Sequence, residues 1–246
     1  MGKIYIGTSG WQYRHWREVF YPEKLPRKDW LRHYSEHFET VEINSSFYQQ
    51  TKASTFEKWI SETPTNFVFS IKGNRYITHI KRLKDCREPV GRFFKNVNVL
   101  AAERPEVKCV ILWQLPPSLK KDLDRFTAFL SLLPENFRHA FEFRHRSWTK
   151  EIAKENLGRE GKEVAAVLQD WKDWPCFNEP IGDFVYIRLH GREKLYSSGY
   201  SEEELEEWAG KVQEWGGRGL DVYVYFNNDA LGYAVKNALF LKTLLK

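Results

Sequence analysis

The sequence predicts an α/β protein of the (β/α)8 class, a TIM barrel, in a single domain over residues 1–246. Three observations carry that expectation. Eight short runs rich in β-branched and aromatic residues recur along the chain, helix-periodic segments with capping signals lie between them, and 246 residues is the usual size for eight such units. Strict strand–helix alternation calls for parallel strands joined by crossovers, with an open doubly wound sheet as the rival arrangement.

In chain order, strands are expected over residues 3–9, 38–44, 66–73, 107–115, 139–144, 163–170, 184–191 and 221–228. A helix over 27–37 joins the first two. Another starts after Ser54, which has the capping-box spacing with Glu57. Helices then fit parts of 78–102, then 118–133 and 148–157. Ser201 and Glu204 repeat the capping-box spacing before "SEEELEEWAGKVQEW", whose acidic first turn suits a helix N-terminus and which Gly216 and Gly217 end. The last helix fits 229–245. One unit is incomplete: "WKDWPCFNEPIG" carries two prolines, so the helix after strand six is reduced or missing.

Composition narrows the class more than the function. No apolar run approaches the roughly 18 residues of a membrane helix, and "MGKIYIGTSG" lacks the apolar stretch of a secretory signal, so no membrane association and a cytoplasmic location are expected. Cys86, Cys109 and Cys176 are odd in number and far apart, which suits neither a disulfide framework nor a zinc site. A formal net charge of +5 permits an anionic partner without requiring one, since no run concentrates the charge.

Period two shows what lines the barrel. In "FVYIRLHG" Val185, Ile187 and Leu189 face the outer helices, which turns Tyr186, Arg188 and His190 inward with His190 nearest the C-terminal mouth. The same parity turns in Glu42 and Asn44, Ser70 and Lys72, Gln114, Glu142 and Arg144, Asp170, and Tyr223, Tyr225 and Asn227. Strand one ends in Gly7, Thr8 and Ser9. Burying so many polar groups has to be offset by mutual pairing, water or a ligand. The bland reading is a self-neutralising ion-pair set: Lys72, Arg144 and Arg188 against Glu42, Glu142 and Asp170. Aromatic residues follow most strands, among them Trp11, Tyr48 and Trp148. They read either as stacking surfaces for sugars or bases, or as anchors for long loops.

Seven stretches together resemble a known family: "IGTSGWQYRHW", "VEINSSFYQQ", "FSIKGNRYITH", "LWQLPPS", "FEFRHRSW", "VYIRLHG" and "VYFNND". In order, and with several uncommon motifs among them, they are similar to the successive motifs of the YecE-like family, domain of unknown function 72. The resemblance implies a TIM barrel and brings no established reaction. It marks Gly7, Thr8, Ser9, Gly10, Trp11, Glu42, Asn44, Phe47, Tyr48, Lys72, Thr78, His79, Gln114, Pro116, Pro117, Glu142, Arg144, Trp148, Arg188, His190, Gly191, Asn227 and Asn228 as motif positions.

The expected function is binding, with hydrolysis as an option, of a phosphate-bearing substrate such as a sugar phosphate, nucleotide or nucleic acid. Lys72, Arg144 and Arg188 would hold the anion, Glu42 or Glu142 would act as base, and His190 as acid or phosphate partner. Thr8, Ser9, Trp11, Asn44, Tyr48, Gln114, Trp148, Asp170 and Asn227 complete the ligand-binding set. A divalent metal among Glu42, Glu142, Asp170 and His190 is an option that three nearby cations disfavour. The alternative is nucleic-acid or nucleotide binding without turnover, and a weaker one is a glycoside hydrolase using Glu42 and Glu142. On this reading Arg188→Ala and Glu142→Gln abolish ligand binding or turnover and leave the fold intact.

Overall fold

All eight strands form within three residues of the expected bounds in this computed structural model, which describes residues 1–157 and 161–246. They are β1 Ile4–Thr8, β2 Thr40–Ile43, β3 Val68–Lys72, β4 Val110–Gln114, β5 Arg138–Glu142, β6 Val164–Gln169, β7 Val185–Leu189 and β8 Val222–Phe226. Neighbouring strands pair in parallel in the order β1-β8-β7-β6-β5-β4-β3-β2, which an open doubly wound sheet would not produce. The two ends of that ladder meet at a bridge between Ser9 and Glu42.

The β1–β2 seam is built from side chains as much as from backbone. A Cβ on Gly7 would lie 2.3 Å from the Thr40 carbonyl oxygen, so only glycine lets the strands approach this closely. The Tyr34 hydroxyl fills the gap in the ladder, accepting from the Thr8 N–H at 3.0 Å and donating to the Thr40 carbonyl at 3.1 Å.

Helices α1 Trp30–His37, α2 Ser45–Tyr48, α3 Ala53–Ser61, α4 Arg87–Glu103, α5 Leu123–Leu130, α6 Lys150–Asn156, α7 Glu202–Gly217 and α8 Tyr233–Leu244 surround the barrel. The Ser201–Glu204 capping box is present. The Ser54–Glu57 box does not form: α3 starts at Ala53, which puts Ser54 inside the first turn and beyond reach of a capping role. α7 runs through Gly216 and Gly217, and the left-handed residue beyond it is Gly219 (φ +89°). No helix lies between β6 and β7, as the prolines foretold, and α2 is an extra turn.

Two apolar regions follow from the parity of the strands. Outward side chains such as Val185, Ile187 and Leu189 are sealed under the helices, each burial contributing about 1.5–3 kcal/mol. The interior holds Val68, Val110, Leu112, Ala140, Ala165, Val167, Tyr186, Tyr223 and Tyr225. At the N-terminal end Arg138 forms a floor, donating to Asp221 Oδ2 at 2.7 Å and to the Tyr223 hydroxyl at 2.6 Å. Polar side chains therefore gather above a filled barrel, at the C-terminal mouth. Among the described residues no helix is long and apolar enough to cross a membrane.

Candidate functional site at the barrel mouth

Three strands far apart in sequence bring their inward residues to one point. Arg188 of β7 donates from Nε to Glu42 Oε2 at 2.9 Å and from Nη2 to Glu42 Oε1 at 2.8 Å, and from Nη1 to Glu142 Oε2. All three side chains are fully buried. Ser9 Oγ and the Tyr186 hydroxyl each donate to Glu42 at 2.7 Å, and Tyr186 in turn meets Ser70 Oγ at 2.6 Å. Glu142 Oε1 receives Arg144 Nε at 2.5 Å. Every oxygen of the two carboxylates is thereby committed. Burial alone would raise both carboxyl groups, but Arg188 beside Glu42, and Arg144 with Arg188 beside Glu142, outweigh it and hold both below the usual carboxylate range.

Lys72 enters from β3 as the odd cation. Its Nζ lies 4.3 Å from the centre of the Phe47 ring, and among the described residues it makes no hydrogen bond or ion pair. Burial, and then the charge of Arg188, push its amine down to about 7 against the partial pull of Glu142 and Glu42. His190 sits between Trp174 and Tyr196, edge-on to both at 5.2 and 5.5 Å. Burial and the Arg188 charge drive its pKa far down, so the ring is neutral. Asn227 Nδ2 lies 3.2 Å from His190 Nδ1; as the amide is oriented it donates there, which leaves the ring hydrogen on Nε2. That Nε2 is buried and has no partner in the protein.

Three of the expected ligand residues face elsewhere. β6 ends at Gln169, in register with Arg188, so Gln169 and not Asp170 is its inward residue. Gln169 uses its amide to hold the following loop, at Pro175 O and Trp171 N. Asp170 instead accepts from the His190 N–H at 3.0 Å and from the Tyr200 hydroxyl, tying down the loop after β7. Thr8 is turned to Tyr34 of α1, and Trp148 stacks on Phe143 at 4.5 Å in the outer layer. Ser9, Lys72, Arg144 and Asn227 are at the mouth as expected. Gln114 is there too, level with Glu142.

The model of the family described as a protein of unknown function, DUF72, matches residues 5–246. The chain belongs to the DUF72 family. Its relatives include the UPF0759 protein YunF of Bacillus subtilis (strain 168), 28% identical over 275 residues that cover 98% of this chain and 94% of that protein. A DUF72 family protein (TM1631) from Thermotoga maritima MSB8 superposes with a TM-score of 0.85 at 32% identity over 99% of each chain. A D-psicose 3-epimerase with D-tagatose from Clostridium cellulolyticum H10 shares the barrel alone, at TM-score 0.58 and 10% identity over 99% of each chain.

In this DUF72 barrel the aromatic rim divides. Trp174 lies under Arg144, whose Cζ is 3.6 Å from the ring centre. Trp11 packs edge-on to Trp59 at 5.2 Å and, with Tyr13 and Asn44, lines a cavity of 180 Å³ beside Ser9. Asn44 Oδ1 is buried there without a partner. Tyr48 and Tyr76, both exposed, line a cavity of 430 Å³ with Asn74 and Arg92. Gln169 shares the inward side of β6 with Ala165 and Val167, and Trp174 and Tyr196 are the aromatics after β6 and β7 that reach the charge cluster and His190. Their signal was position, in the loops after β6 and β7. The possible metal set Glu42, Glu142, Asp170 and His190 is not brought together. Among the described residues the one group of His, Cys, Asp and Glu with ligand atoms mutually within 4.8 Å is His33, Glu36 and His37, on α1 and away from the mouth.

Proposed function

We propose that the mouth of this DUF72 barrel binds a small phosphate-bearing ligand. One observation carries the reading: the two buried carboxylates are taken by the two arginines, and the Lys72 ammonium is left in a desolvated position with no counter-ion among the described residues. A buried cation is tolerated when an anion joins it or when it loses its proton. A phosphate oxygen would meet Lys72 Nζ, the His190 Nε2–H and the outer nitrogens of Arg144, and Trp174 and Tyr196 offer flat walls for the rest of the ligand.

Binding is favoured over hydrolysis driven by the two glutamates or by His190. A general base needs a free lone pair near neutral pKa, and each oxygen of Glu42 and Glu142 already accepts a charged donor. His190 supplies a hydrogen-bond donor rather than a base. A glycoside hydrolase needs one carboxyl kept protonated, whereas both here are held ionised.

Calorimetric titration with inorganic phosphate, ribose 5-phosphate and adenosine monophosphate tests the reading, with Lys72→Met as control. Saturable binding in the parent that is lost in Lys72→Met is the expected result; equal heats in both chains would overturn it. The nucleotide reading has its own support in Tyr48 and Tyr76 beside Arg92, with Arg75 and Arg82 exposed on the same loop. If it holds, a fluorescent single-stranded oligonucleotide binds with an affinity that falls steeply with salt and is weakened in Tyr48→Ala.

A further inference from the structure

We infer that His33, Glu36 and His37 form a surface site for one borderline divalent cation of the zinc class, separate from the mouth. The spacing H-x-x-E-H on α1 sets the three side chains on one face, since residues three and four apart are neighbours on a helix. One ligand atom from each lies within 4.8 Å of the other two.

The hydrogen bonds behind the rings point to a ligand in front of them. His33 Nε2 lies 3.2 Å from the Phe20 carbonyl oxygen, so that nitrogen carries the ring hydrogen and Nδ1 carries the lone pair. His37 Nδ1 lies 2.9 Å from the His33 carbonyl oxygen, which leaves its Nε2 lone pair free. Each imidazole is thus anchored through one nitrogen by a backbone carbonyl, the arrangement that orients metal-ligating histidines. Glu36 Oε2 then stands 3.6 Å from His33 Nδ1, two acceptors facing each other with nothing to share unless a cation lies between. Zinc with bonds of about 2.0–2.2 Å in tetrahedral geometry sets its ligand atoms about 3.3–3.5 Å apart, so that pair needs to close by only a few tenths of an ångström.

The surroundings suit an ion taken from solvent. His33 is partly buried, Glu36 and His37 are exposed, and the Phe20 ring stands edge-on to both imidazoles at 5.2 and 5.1 Å, giving the site one apolar wall. Two nitrogens and one carboxylate oxygen match zinc better than magnesium or calcium, which prefer all-oxygen shells. Metallation makes the His33 N–H a stronger donor to Phe20, so the ion would also fasten the loop before α1 to the helix. In one class of zinc peptidase the same spacing carries two histidine ligands. Binding alone is inferred for this chain.

The test is zinc competition against a chromophoric chelator at pH 8, above the ordinary imidazole range, using the whole chain. We expect one equivalent bound, affinity about tenfold or more weaker in H37A and in E36Q, and visible d–d bands of a low-coordinate site when cobalt(II) replaces zinc. Zinc also raises the melting temperature of the parent and not that of H33A/H37A. Because the His37 side chain is exposed, H37A serves even where H33A lowers stability. Identical zinc uptake by the parent and by H33A/H37A would overturn the inference. So would a carboxylate–imidazole pair that a proton alone fills, seen as no uptake at pH 8.

Discussion

Arg188 and Glu42 meet near the barrel axis in a two-bond ion pair, 2.9 Å from Nε to Oε2 and 2.8 Å from Nη2 to Oε1, with neither side chain reaching solvent. A guanidinium this deep is held by geometry that satisfies both partners. Removing one partner strands the other.

Arg188→Ala is therefore expected to lower the unfolding free energy by about 3–5 kcal/mol, because it leaves Glu42 buried and unpaired and Glu142 with Arg144 alone. That reverses the expectation drawn from sequence, in which this change spares the fold. Urea unfolding measures it. A loss below about 1 kcal/mol would mean that water reaches the carboxylates. The double change Arg188→Met, Glu42→Gln, which leaves Glu142 paired with Arg144, should recover part of the loss.

Lys72 gives stability an unusual slope with pH. Its amine is pushed down to about 7 in the folded chain from 10.5, so between those values the unfolded chain binds the extra proton and stability rises with pH. Below about 7 the lysine is charged in both states and its burial is a standing cost. Lys72→Met is expected to raise the melting temperature at pH 6 and to flatten this slope, read from thermal melts at several pH values. Phosphate affinity should run the other way, falling as pH rises above about 7 and the cation is lost.

Trp174 supports Arg144 by direct contact of the guanidinium with the ring, at 3.6 Å. Trp174→Ala is expected to weaken anion binding by about two- to thirtyfold with little change in stability, since a cation–π contact is worth about 0.5–2 kcal/mol. Titration calorimetry paired with a urea melt separates the two effects.

The β1–β2 seam should be intolerant of small additions. Gly7→Ala would drive a methyl group to 2.3 Å from the Thr40 carbonyl oxygen, and a loss of about 1–3 kcal/mol is expected from the forced backbone shift. Tyr34→Phe is expected to cost a similar 1–3 kcal/mol, roughly, because it leaves the Thr8 N–H and the Thr40 carbonyl unpaired. Thermal unfolding of each variant checks both.

Alternation along the strands made the barrel and its central cluster readable, since Arg188, Glu42 and Glu142 sit where period two put them. In β6 the expected phase is reversed: Ala165 and Val167 face the interior with Gln169, while Val164, Ala166 and Leu168 face the helices, so Asp170, just past the strand, falls in the outward phase. Thr8 and Trp148 carry motif positions, yet hydrogen bonding to Tyr34 and stacking on Phe143 claim them for the outer layer. A lone tryptophan after a strand reads the same whether it lines a mouth or anchors a loop. Who binds whom within the charge set was beyond the sequence too, because the pairing of Arg144 with Glu142, which leaves Lys72 alone, depends on ångström-scale reach.

Ser9 and Glu42 have a double duty: they join the first strand to the second, and they help grip Arg188. Unzipping this edge and dismantling the charge cluster are consequently a single event. Loosening of the charge cluster would therefore open the cylinder at its seam, and the amide of Thr8, held by a tyrosine hydroxyl, is the natural reporter of that opening in hydrogen exchange.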